Sequence, residues 1–126
     1  VIAGIGTDVV DIDRIAQVLE RHGKRFVERI LTVEERVRYE RTKAKASHLA
    51  KRFAAKEAFS KAIGSGIRSP FRWHSVTVGR DPKGKPILKP DARMAAHLDK
   101  LGVTTLHVSL TDDARIAVAF VILEMK

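Results

Sequence analysis

The chain has 126 residues, 44% of them hydrophobic, which suits one domain around one modest core. It has no cysteine, which excludes disulfides, thiolate chemistry and cysteine-bound zinc, and no apolar run approaches the roughly 18 residues a membrane span needs. Net charge is +9, and Arg14 to Lys56 alone hold 13 Lys and Arg against 5 Asp and Glu, a basic half that calls for an anionic partner: nucleic acid, an acidic protein or a polyphosphate.

Val1 to Gly6 is apolar, but no basic segment precedes it and no cleavage site follows, so a cytoplasmic protein is expected rather than a secreted one. Ile2 to Val10 reads as a strand, and Gly4 and Gly6 within it point to a bulge or to close approach of another backbone. Asp11 is placed to cap a helix with the stripe Ile12, Ile15, Ala16, Val18 and Leu19, ending at Gly23. Phe26, Val27, Ile30 and Leu31 make a second short stripe. Thr32 and Glu35 have the spacing of a capping box, which starts a helix running to about Thr42. Lys43 to Ala46 reads as a basic connector.

Ser47 to Ile63 follows as the longest helix, with Ser47 as cap and Gly64 as stop, apolar nearly all round and therefore buried on more than one side. Gly64 to Pro70 is a loop. Trp73 to Gly79 reads as a strand and pairs as a hairpin with Ile87-Leu88-Lys89 across the turn Asp81 to Pro86. Pro90-Asp91 opens a helix that ends at Gly102. Leu106 to Thr111 alternates, with Val108 and Leu110 inward and His107, Ser109 and Thr111 on the opposite face. Ile116 to Leu123, almost wholly apolar, is expected at the centre of the sheet. The class is α+β, a mainly antiparallel sheet packed with a long central helix.

Two charges interrupt the apolar arc of the long helix. Glu57 and Lys61 are four apart and so are neighbours. If the arc faces water they are an ordinary surface pair; if it faces the interior or a cleft, they must be paired with or bound to something charged. A metal and a phosphate would serve both. Asp8 follows an apolar strand, where a carboxylate serves either a hard cation or a turn. Asp11 and Asp13 are rivals that capping and surface roles explain. Mg²⁺ is commonly held by one or two carboxylates plus phosphates and water, which Asp8 and Glu57 together would suit. His107 shares a polar row with Ser109 and Thr111, a site lining or a half-exposed strand histidine. The other histidines show no ligand spacing, and no P-loop, zincin or dinucleotide motif is present.

Two stretches together resemble one family. Gly6-Thr7-Asp8-Val9-Val10-Asp11-Ile12-Asp13-Arg14 is similar to the first motif of the phosphopantetheinyl transferases, and Arg52-Phe53-Ala54-Ala55-Lys56-Glu57-Ala58-Phe59-Ser60-Lys61 to their second. Gly64-Ser65-Gly66-Ile67, Gly84-Lys85-Pro86 and His107-Val108-Ser109-Leu110 resemble the short, single-domain branch, and the likeness runs over essentially the whole chain. The resemblance implies transfer of the phosphopantetheine arm of coenzyme A to a serine of an apo acyl carrier protein, in the service of fatty acid synthesis. It implies Asp8 and Glu57 as Mg²⁺ ligands, Glu57 or a water it orients as proton acceptor, and Lys61 on the α-phosphate. It puts Arg52, Ser60, Lys61, Gly84, Pro86 and His107 near coenzyme A, and Arg14, Arg21 and Arg25 on the face that docks an acidic carrier. It also implies a homotrimer with sites between neighbouring subunits, and neither nucleic acid nor membrane as a partner. The rival from composition is a small basic nucleic-acid binder; it explains the charge but not the embedded Glu57, and one Trp and one Tyr make a poor base-stacking platform.

Overall fold

In the computed structural model, which describes residues 1–126, ten elements follow in chain order: β1 (Ile2–Asp11), α1 (Ile12–His22), α2 (Lys24–Ile30), α3 (Val33–Arg41), α4 (Lys45–Ala62), β2 (Val76–Arg80), β3 (Pro86–Pro90), α5 (Ala92–Lys100), β4 (Val103–Asp112) and β5 (Ile116–Met125). The architecture is α+β. The strands divide into two antiparallel sheets rather than one: β1-β5-β4, with β5 central as its apolar sequence predicts, and the separate hairpin β2-β3. No helix is long and apolar enough to cross a membrane.

Helix α4 lies on one face of the three-stranded sheet and is the hub of a single continuous core. The approach is close because β1 offers glycine there. A Cβ on Gly6 would collide with the Ala58 carbonyl oxygen, and one on Gly4 with that of Ala62. The pairing also shifts register between Ile2 and Gly4, so bulge and close approach occur together.

Register assigns every strand residue to a face. Asp8 lies opposite Ala119, in the same row as Leu110, and Gly6 opposite Val121 and Val108; these rows face α4. The alternate rows, Ile5–Ile122–His107, Thr7–Phe120–Ser109 and Val9–Val118–Thr111, form the other face. That face has no covering layer: Ile5 is 53% exposed, Val9 60% and Phe120 42%.

The helix starts follow local chemistry. Asp11 caps α1 by accepting from Asp13 and Arg14 N–H, and Thr32 and Glu35 complete the capping box of α3. Ser47 does not cap α4. The helix begins two residues earlier, at Lys45, and the Ser47 hydroxyl donates to the Ala44 carbonyl. Lys45 is drawn in because its ammonium caps the end of α3, donating to the carbonyls of Tyr39, Glu40 and Thr42. The basic connector therefore shrinks to a few residues. The strand expected from Trp73 begins only at Val76. Residues 72–75 form a turn closed by Ser75, and the Trp73 carbonyl is held by Lys56 instead of a neighbouring strand.

Candidate active site

Asp8 sits late in β1 on the α4 face, and Glu57 and Lys61 project from successive turns of α4 toward it. Lys61 Nζ donates to Asp8 Oδ1 at 3.2 Å and to the Thr7 carbonyl at 3.0 Å. The second Asp8 oxygen, Oδ2, is buried and has no hydrogen-bond partner. Glu57 is half-buried, with its carboxyl close enough to Asp8 for the two charges to act on each other. Burial raises the Glu57 pKa above the ordinary carboxylate range, the Asp8 charge beside it adds to the rise, and Lys61 offsets part of it.

An orphaned, buried carboxylate oxygen beside a second carboxylate is a place for a cation. No cluster of three or more His, Asp or Glu side chains forms anywhere in the chain, so this pair is the whole donor set. Two carboxylates, with the remaining positions left to phosphate oxygens and water, fit Mg²⁺ and do not fit a closed zinc site.

The cleft beside the pair, about 310 Å³, runs between β1 and α1 and is lined by Asp8, Asp11, Arg14, Ile15, Phe53 and Glu57, among others. Its apolar wall was not legible from the sequence. Phe53 stacks on Trp73 with ring centroids 4.9 Å apart and meets Phe26 at 6.1 Å. Trp73 is in turn fixed by Lys56, which is fully buried and donates at 2.7 Å to Glu35 Oε1 and to the carbonyls of Ile30 and Trp73. Glu35 returns the constraint, accepting from Thr32 N–H and, through Oε2, from Val78 N–H. Lys56 thus ties α2, α3, the Trp73 turn and β2 to the helix that carries Glu57 and Lys61.

Of the other candidate residues, Arg14 alone lines the cleft beside Asp8 and Glu57. Pro86 and His107 meet in a separate groove with Ser109 and Phe120, and His107 Nε2 pairs with Glu124 Oε1 at 2.8 Å. Their groove opens on the sheet face opposite to Asp8. Gly84 is at the exposed tip of the hairpin with φ +89°. Ser60 is 1% exposed, and its hydroxyl donates to the Glu57 carbonyl. Arg52 is 3% exposed and faces a cavity between α3, α4 and the β2–β3 hairpin rather than the Asp8 cleft. Arg14, Arg21 and Arg25 are exposed; Arg14 lines the cleft, and Arg25 lies with His22, Phe26 and Arg29 around a shallow basic groove.

Comparison with known proteins gives a consistent result. Residues 4–119 match the 4'-phosphopantetheinyl transferase superfamily. The chain is 48% identical to a holo-[acyl-carrier-protein] synthase of Herminiimonas arsenicoxydans, covering 99% of both chains. Among solved structures it resembles the holo-[acyl-carrier-protein] synthase of Neisseria meningitidis (TM-score 0.94, 38% identity, 98% of this chain and 99% of that one). It also resembles that of Helicobacter pylori in complex with coenzyme A (TM-score 0.85, 32% identity, 95% and 99%). With the match spanning nearly the whole sequence and including both carboxylates, the chain belongs to the 4'-phosphopantetheinyl transferase superfamily.

Proposed function

We propose that the chain acts, as one domain, as a holo-[acyl-carrier-protein] synthase. It moves the 4'-phosphopantetheine arm of coenzyme A onto a serine hydroxyl of an apo acyl carrier protein, in the cytoplasm and in the service of fatty acid synthesis. The observation that carries the reading is the Asp8–Glu57–Lys61 constellation with its unpartnered Asp8 oxygen. The names of its relatives, and the coenzyme A bound in the Helicobacter pylori structure, agree with it. The nucleic-acid reading loses its footing: the basic half is explained by an acidic carrier, and the family is that of a transferase.

In the reaction a new P–O bond forms to the serine oxygen and the pyrophosphate P–O bond breaks, releasing adenosine 3',5'-bisphosphate. Asp8 and Glu57 would hold Mg²⁺, which when bound supplies charge stabilisation to the pyrophosphate oxygens. Lys61 offers an ammonium to the charge that grows on the leaving phosphate. Its link to Asp8 is short enough to orient it and exposed enough to be exchanged for a phosphate. Glu57, or a water it orients, accepts the serine proton.

We further propose a homotrimer with sites between subunits. The open sheet face is apolar and needs cover. His107 and Pro86 are on that face while Asp8 and Glu57 are on the other, so one coenzyme A reaching both groups would draw them from neighbouring subunits. Incubation with coenzyme A, Mg²⁺ and an apo carrier tests the function: the carrier gains the mass of the arm. An unchanged carrier mass overturns it.

A further inference from the structure

The cleft beside Asp8 and Glu57 shares one residue, Phe26, with the shallow basic groove of His22, Arg25 and Arg29. An apolar wall therefore runs from the exposed arginines to the carboxylate pair. Its inner half is the ring of Phe53, which stands on α4 one turn before Glu57 and faces the same side of the helix. Phe26 meets that ring at 6.1 Å, and Trp73 stacks on it at 4.9 Å with 26° between the planes.

Trp73 does not line the cleft; it backs the residue that does. It is braced twice. Its ring meets buried Phe71 edge-on at 5.6 Å, and Phe71 meets buried Phe59 at 6.3 Å, so the row of rings is rooted in the core. Its carbonyl accepts a 2.7 Å bond from Lys56, whose other two donors go to Glu35 and the Ile30 carbonyl. The Lys56 charge is neutralised by Glu35 and shut off from water, so any effect it has on the reaction passes through position alone. Aromatic pairs favour few relative orientations, and a stacked, anchored neighbour leaves the Phe53 ring one place to sit. A fixed wall confines the path to Glu57; a ring free to turn widens that path, and small misplacements of a reacting group are costly.

We infer that Trp73, anchored through Lys56, is a positioning residue for the carrier: it holds the Phe53 ring so that an acidic carrier docked on the arginines delivers its serine to Glu57. The inference rests on the proposed function for the identity of what is delivered. The proposed coenzyme A groove, with His107 and Pro86, opens on the other sheet face and does not share this wall.

Three variants of the full chain test it. Trp73→Leu removes the stack and keeps the carbonyl, Trp73→Phe restores a ring, and Lys56→Met frees the carbonyl. The readouts are KM for each substrate and calorimetric affinity for the apo carrier. Trp73→Leu should raise KM and Kd for the carrier about tenfold, leave KM for coenzyme A within about twofold, and be largely rescued by Trp73→Phe. A merely structural role would lower kcat with the folded fraction and move neither KM; that result overturns the inference, as does an equal rise in both constants. Trp73 is the only tryptophan, so its emission reports this wall without turnover. Folded Lys56→Met should shift the emission to longer wavelength, and an unshifted spectrum removes the anchor and with it the inference. If Lys56→Met does not fold, the two Trp73 variants decide. A wild type that binds the carrier, loses that affinity in Trp73→Leu and yet transfers nothing refutes the proposed function alone.

Discussion

Lys61 on α4 holds Asp8 on β1 by one oxygen only, Nζ to Oδ1 at 3.2 Å, and leaves Oδ2 buried and bare beside Glu57. This pairing positions the carboxylate without saturating it. Asp8→Ala and Glu57→Ala should each abolish arm transfer while leaving the circular dichroism spectrum unchanged, because the Asp8–Lys61 link ends on a half-exposed ammonium and α4 is held to the sheet by core packing. Chelation of Mg²⁺ should silence the wild type, and added Mg²⁺ restore it. Near-normal transfer by either variant at ordinary Mg²⁺ would refute the metal assignment.

The Lys56–Glu35 pair makes a different prediction, on stability. Both side chains are essentially out of water, at 0% and 1% exposure, and every contact is met. Breaking such a pair on one side leaves a buried charge uncompensated, so Lys56→Met should cost about 3–5 kcal/mol in urea unfolding. A double-mutant cycle with Glu35→Gln should show strong coupling, since the two act as one unit. Additive costs would mean that Lys56 acts through its carbonyl acceptors alone.

These two constellations differ in how far the sequence revealed them. Glu57 and Lys61 stood out because charges interrupt an apolar arc, and Asp8 because it follows an apolar strand; only the paired strands and α4 could bring them together. Lys56 gave no such signal. A lysine in a Lys- and Ala-rich helix reads as a solvated position, and its partner Glu35 already had a local role in the capping box, which it keeps. Long-range pairing of two residues 21 apart has no periodicity to betray it. The same holds for Trp73, read as strand by its neighbours and withdrawn from it by Lys56. The sheet faces, by contrast, were legible for β4, where strict alternation put His107 opposite Val108.

The cavity that holds His48 gives a pH dependence. Its pKa is lowered from 6.5 to about 3, by burial first and then by Arg52, Lys51, Arg80 and Arg38. The unfolded chain thus takes up a proton near pH 6.5 that the folded chain refuses until about pH 3. Stability from this group is complete above pH 6.5 and is lost as pH falls through that window, by at most about 1.4 kcal/mol per pH unit. Melting in phosphate-free buffer should show Tm falling between pH 7 and 5, with a shallower fall in His48→Phe. An identical slope in that variant would assign the titration elsewhere.

Assembly can be tested at the open sheet face. Phe120 is 42% exposed between Thr7 and Ser109, in the middle row of the uncovered side. Phe120→Asp should therefore put a charge into the proposed subunit interface, convert a trimer to a monomer in light scattering, and remove activity although Asp8, Glu57 and Lys61 are untouched. A wild type that scatters as a monomer at assay concentration would remove both the trimer and the shared site.

Carrier docking follows from where α1 points its arginines. Arg14, Arg21 and Arg25 are exposed, while the buried Ile15 and half-buried Leu19 hold the helix down from the other side. Positive potential on this face would steer an acidic carrier, an effect carried mainly by the association rate and screened by salt. Arg21 is the cleaner position to test, because Arg14 also lines the cleft beside Asp8 and Glu57. Arg21→Glu should raise KM for the carrier about tenfold at low salt, less at high salt, and leave KM for coenzyme A nearly unchanged. Arg14→Glu should raise the carrier KM at least as much. If Arg21→Glu moves both constants equally, the nucleotide runs along α1 and the carrier docks elsewhere; if it moves neither, α1 is simply a solvated helix face.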